Sequence, residues 1–116
     1  MNHKDLEVWK ESMNLVEMVY SLANQLPGDE KFGLISQLKR AAVSVPSNIA
    51  EGAARKSDKE LIQFCFISLG SVAEVETQLL LASRIFKLTI DLTSQQIETC
   101  RKLLLGFIRY LKTKKQ

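Results

Sequence analysis

Few residues in this 116-residue chain could do chemistry, and their spacing narrows what that chemistry is. His3 is the only histidine, and Cys65 and Cys100 are the only cysteines. A Ser-His-Asp or Cys-His scheme would have to use His3, in a terminal stretch expected to move. Two cysteines on different predicted helices, with no histidine nearby, do not make a zinc site, so both read as small buried hydrophobes. There is no glycine-rich phosphate loop and no strand to precede one. Glu51 and Glu74 form the one tempting carboxylate pair, and a contact between helices explains them as well. These residues predict a protein that is not an enzyme, with no catalytic residue, cofactor or metal and no evident small-molecule substrate.

Positive charge is the other candidate chemistry. The net charge is only +3, but it is unevenly spread. Residues 1–92 carry ten basic and twelve acidic side chains, whereas residues 93–116 carry six basic and one acidic. That asymmetry points to an acidic partner at the C-terminal end. On the predicted last helix, Arg101, Lys102, Arg109 and Lys112 fall within a narrow outward arc, and a stripe of this kind can track phosphates without reading sequence. Arg55 and Lys56, in the last turn of the predicted second helix, suit its dipole and could also contact phosphate. The competing reading of the stripe is a solvated face, and for Arg55 and Lys56 the helix dipole suffices.

The stretch that positions the rest is residues 37–56. It is rich in small residues: Ala41, Ala42, Ser44, Ser47, Ala50, Gly52, Ala53 and Ala54. Helices can approach such a surface closely. Pro46 in its middle removes one helical hydrogen bond and clashes with the carbonyl of Ala42, at about 3 kcal/mol. The expectation is a kinked helix, with the hydroxyls of Ser44 or Ser47 helping the freed backbone groups. The rival is a break, because Val45 before proline prefers an extended backbone and Asn48-x-x-Glu51 could cap a new helix. At about 100° per residue, Arg40, Ser44, Ser47 and Glu51 share one face and Ile35, Leu38, Ala42, Val45 and Ile49 another.

Arg40-Ala-Ala-Val-Ser-Val-Pro-Ser-Asn-Ile-Ala-Glu-Gly-Ala-Ala-Arg55 resembles the signature of the bacterial four helix bundle protein family. Those proteins are encoded in intervening sequences of large-subunit (23S) ribosomal RNA genes and are sometimes labelled ribosomal-protein-like. Leu6-Glu7-Val8-Trp9, Leu34-Ile35-Ser36-Gln37-Leu38 and Leu69-Gly70-Ser71-x-x-Glu74 also match, so the resemblance spans residues 5 to 88. It marks Arg40, Ser44, Pro46, Asn48, Glu51, Gly52, Gly70, Ser71 and Glu74 as motif positions. A remote likeness is to the accessory variability determinant of diversity-generating retroelements, a pentameric bundle that binds a reverse transcriptase and nucleic acid. The resemblance implies an all-α fold and a homo-oligomeric ring, a pentamer, but no settled biochemical role.

Periodicity gives the elements: an antiparallel up-down-up-down four-helix bundle, one domain over 1–116, with helices at about 6–25, 29–56, 58–86 and 94–113. In helix one, Trp9, Met13, Val16, Tyr20 and Ala23 make one core stripe and Val8, Leu15, Val19, Leu22 and Leu26 a second. Asp5 is the expected N-cap, and Ser57-x-x-Glu60 and Thr93-x-x-Gln96 read as capping boxes for helices three and four. Helix three is apolar over a wide arc. Leu61, Cys65, Val72, Val75, Leu79 and Phe86 form one stripe, and Ile62, Phe66, Leu69, Ala73 and Leu80 a second that is expected to meet another subunit. Gly70-Ser71 reads as a close backbone approach, and Glu74 either pairs with Arg40 or another basic residue across the helices or is solvated. Leu88, Ile90 and Leu92 are expected on the bundle end. Ile97, Cys100, Leu104, Phe107, Ile108 and Leu111 face the core from helix four, and residues 114–116 fray. With no apolar run of membrane-spanning length and no signal-peptide core, the chain reads as cytoplasmic. The predicted function is an oligomeric scaffold binding RNA or a ribonucleoprotein; the competing class is a protein-interaction module.

Overall fold

Apolar residues at three- and four-residue spacing make four helices, and in the computed structural model, which describes residues 1–114, all four form. They are α1 (Glu7–Ala23), α2 (Leu34–Ala53), α3 (Asp58–Phe86) and α4 (Asp91–Thr113), with short 3-10 turns at His3–Asp5 and Gly28–Glu30. No strand occurs among the described residues. α2 packs most extensively on α3, α1 lies against α2 and α4, and α4 closes the bundle on α3. Cross-helix pairs give direction: Gln37 meets Gln78, Ser44 meets Ser71, and Ser68 meets Val45, so α2 and α3 run antiparallel. Arg101 to Glu76 and Lys114 to Asp58 give the same sense for α3 and α4.

Several helix ends differ from the sequence expectation, each for a local reason. α1 stops at Ala23, where Gln25 and Leu26 bond back to Leu22 and Ala23 in a tightened last turn. Pro27 biases Leu26 away from helix. α2 starts at Leu34, not near residue 29, because Gly33 is non-helical and the Glu30 carboxylate accepts from the Leu34 N–H at 3.1 Å. It ends at Ala53, so Arg55 and Lys56 lie beyond its last turn. The chain must become extended there to present Ser57 as the α3 cap. Ser57 does cap: its hydroxyl oxygen accepts from the Glu60 N–H at 3.2 Å and its O–H donates to the Glu60 carboxylate at 3.1 Å.

α4 begins at Asp91 with Ile90 at its N-cap. The Thr93-x-x-Gln96 box does not form, since the Gln96 amide reaches across to α1 and donates to the Glu11 carbonyl and carboxylate. Leu6 rather than Asp5 caps α1, without a side-chain bond. Leu88 and Ile90 are buried on the bundle end as expected, but Leu92, inside the first turn of α4, is 73% exposed. Lys114 holds Asp58 at 3.4 Å, while residues 115 and 116 of the expected frayed end lie outside the described residues.

α2 runs without interruption through Pro46, which excludes the break. The core is built from Leu15, Val19, Leu38, Val45, Ile49, Cys65, Val72, Val75, Leu79, Ile97, Cys100 and Leu104. Of the two stripes on α1, that of Val8, Leu15, Val19, Leu22 and Leu26 is buried. Of the other, Ala23 is buried, Trp9 and Val16 are half-buried, and Met13 and Tyr20 are exposed. Length and composition would let α3 cross a membrane, but it lies among the bundle helices with the polar Ser68, Ser71 and Gln78 buried.

Candidate functional site

Most of the motif residues lie along the α2–α3 seam; Pro46 faces α1. The Asn48 amide nitrogen donates to the Ser44 carbonyl at 2.8 Å and to its hydroxyl at 2.9 Å. The Ser44 hydroxyl in turn lies 2.7 Å from that of Ser71. The Ser44 hydroxyl is thus engaged by Ser71 and Asn48 and not by the Ala42 carbonyl that Pro46 frees; one residue before the proline, the buried Ser68 hydroxyl of α3 donates to the Val45 carbonyl at 2.8 Å. Gly52 lets the C-terminal end of α2 touch α3, because a Cβ there would sit 2.7 Å from Phe64 Cβ and 2.9 Å from Leu61 Cδ1. The close approach expected at Gly70 is not made among the described residues. Nothing lies within 4 Å of its would-be Cβ, so no backbone of the same protomer approaches it.

Arg40 and Glu74 line one cleft, of about 400 Å³, with Gln37, Ala41, Ser44 and Gln78. They make no ion pair with each other or with any described residue. Glu51 is elsewhere, paired with Arg55 at 3.1 Å. Eleven residues of α2 separate it from Arg40, about 16 Å of helix. The structure does not bring Glu51 and Glu74 together.

The basic residues divide. Arg101 is held by Glu76 at 2.8 Å and by Glu98 beside it on α4. The Lys112 ammonium stands over the Phe66 ring at 5.3 Å, and the Arg55 guanidinium over Phe64 at 5.0 Å. Lys56, Lys102 and Arg109 are exposed and carry no ion pair among the described residues. Lys102 borders an α1–α4 groove with Leu6, Glu7, Val8, Leu103, Gly106 and Phe107. Burial pushes the thiols of Cys65 and Cys100 up to about 11, which suits packing and not nucleophilic chemistry. Among the described residues no group of three or more His, Cys, Asp or Glu could hold a metal ion.

The sequence pattern described as "23S rRNA-intervening sequence protein" matches residues 4–106. The chain belongs to this family. A solved structure from Bacteroides thetaiotaomicron VPI-5482, a protein with unknown function from the S23 ribosomal protein family, is similar with a TM-score of 0.79. The two are 24% identical over 94% of this chain and 99% of that one, a likeness of fold. No curated protein matches the chain. For this member of the 23S rRNA-intervening sequence protein family, Ser44, Asn48, Gly52 and Ser71 thus have a packing role in the seam, whereas the buried Pro46 faces α1 beside Trp9, Met13 and Val16. Among the described residues, Arg40 and Glu74 make no ion pair and Gly70 meets no neighbour. Sequence reasoning passed over Ser68 and Gln78, and met Gln37 only as part of the Leu34–Leu38 match and the 37–56 stretch. The signal for Ser68 and Gln78 was there, as polar residues set at helical spacing among the buried positions of α3.

Proposed function

We propose that this 23S rRNA-intervening sequence protein family member is a non-catalytic scaffold that assembles with copies of itself and takes RNA, or a ribonucleoprotein, on basic surfaces that the assembly repeats. One observation carries the reading: the outer face of α3. Phe66, Ile67, Leu80, Leu81 and Ile85 are each between 45% and 62% exposed on it. Soluble monomers rarely leave a patch of that kind uncovered. Gly70, with open space before it, keeps the middle of this face low enough for another helix to approach. A closed ring of five copies is the form that the resemblance implies. It would repeat Lys102, Arg109 and Lys56 by symmetry, so weak phosphate contacts would add through multivalency.

Light scattering on the purified protein tests the assembly, and a mass of 13.1 kDa at micromolar concentration would refute it. Binding to a structured RNA across a salt series tests the second part. Affinity should fall steeply with salt, and replacing Lys56, Lys102 and Arg109 with Gln should flatten the slope while leaving the oligomer intact. The pairing of Arg101 with Glu76 and Glu98 favours the other reading, a protein-interaction module, because it neutralises one of the four stripe cations. If the wild-type protein ignores RNA at low salt, that module is the function.

A further inference from the structure

The α2–α3 seam carries a groove that the protomer leaves open, and its centre is the cleft between Arg40 on α2 and Glu74 on α3. Gln78 forms its floor. Only 9% of Gln78 is exposed, and its amide nitrogen donates to Gln37 Oε1 at 3.3 Å. Its own Oε1 is buried with no hydrogen-bond partner among the described residues. A buried carbonyl without a donor is costly, and native proteins hold few of them. One turn before it on α3 stands Glu74, exposed and without an ion pair among the described residues; one turn before that is the open Gly70. Gln78 also borders the next hollow along the seam, where Leu81 and Ile85 are exposed. A row of acceptors therefore lies between an open glycine and an apolar end.

We infer that a second copy of this chain covers the groove and places a cationic side chain, arginine or lysine, in the cleft. Its N–H groups donate to Gln78 Oε1 and to the Glu74 carboxylate, while Leu81 and Ile85 lose water against its apolar side chains. Charge complementarity chooses this occupant. The cleft offers one carboxylate and one guanidinium that have no ion pair among the described residues, and a copy of the same chain carries such groups of both signs. An RNA backbone would bring its phosphates up to Glu74. A small molecule in the cleft would leave Leu81 and Ile85 in water. The inference rests on the self-assembly proposed above and names the polar contact that gives that assembly its register.

Sedimentation equilibrium of wild type, Glu74→Gln, Gln78→Met and Gly70→Leu tests it, with helicity and urea unfolding measured alongside. Each substitution should raise the dissociation constant about tenfold, which is about 1.4 kcal/mol, while helicity is unchanged. At concentrations low enough for the protein to be monomeric, Gln78→Met should unfold at the same or a higher urea concentration, because it removes a buried acceptor that only the assembly satisfies. Glu74 and Gly70 are exposed, so their variants decide the matter even where Gln78→Met perturbs the core. If wild type assembles and Glu74→Gln dissociates within about threefold of it, no donor occupies the cleft and the inference is overturned. A wild type that sediments as a 13.1 kDa monomer removes the self-assembly reading itself.

Discussion

Two glycine-to-alanine substitutions should move stability in opposite directions, and the contrast tests how closely α2 and α3 pack. At Gly52 the added methyl would lie 2.7 Å from Phe64 Cβ, 2.9 Å from Leu61 Cδ1 and 3.4 Å from Leu61 Cα. Carbon atoms prefer about 3.5–4.0 Å, so the helices must separate by nearly 1 Å at this point. The Leu61 methyl can turn aside; Phe64 Cβ is tied to its backbone and cannot. Overpacking of this kind costs about 1–3 kcal/mol. Alanine returns at most about 1 kcal/mol of helix propensity, and less in the last turn of α2. Gly52→Ala should therefore destabilise by about 1–2 kcal/mol. At Gly106, within α4, nothing lies within 4 Å of the new methyl, so Gly106→Ala should stabilise by up to about 1 kcal/mol. A gap of about 2–3 kcal/mol corresponds to roughly 10 °C in melting temperature for a domain of this size. Circular dichroism during heating and urea titration, at one fixed protein concentration, reads both. A Gly52→Ala protein as stable as Gly106→Ala would refute the close approach.

Ser68→Ala should cost about 1 kcal/mol, because it removes the buried donor to the Val45 carbonyl; an unchanged urea midpoint would contradict that role. Cys65 and Cys100 should resist a thiol reagent at pH 8 in the folded protein and react at the rate of opening, since burial raises both from 9.0 to about 11. The sign follows: their contribution to stability is complete below pH 9.0 and is lost as pH rises through about 11, which an alkaline series of urea midpoints would register. The Gln96 amide, and then that of Asn14, hold the Glu11 carboxyl below its ordinary value by donating to it. That stability is present above the ordinary value and lost as pH falls through the lowered one. Urea midpoints of wild type and Gln96→Ala should therefore draw together in acid; parallel curves would exclude the linkage.

The four helices, the extent of α3 and the Ser57 cap could be read from residue order alone. Each depends on contacts within about one turn: backbone hydrogen bonds four residues apart, apolar side chains recurring at that spacing, and a hydroxyl three residues from its acceptor. Burial of Leu38, Val45, Val72 and Leu104 follows from the same periodicity. Periodicity could not choose between the two stripes of α1, because both repeat at helical spacing and only the place of α2 and α4 decides which is covered. Nor could it tell Gly52 from Gly70. The residue is the same, yet one meets Phe64 and Leu61 across the seam and the other meets nothing. Gln96 leaves its expected cap for Glu11, 85 residues away, and Arg101 leaves the outward stripe for Glu76. Local order sets which segments are helical because helical bonds are short in sequence. Which side chains meet across the bundle is set by how the helices stack, through contacts between residues dozens of positions apart.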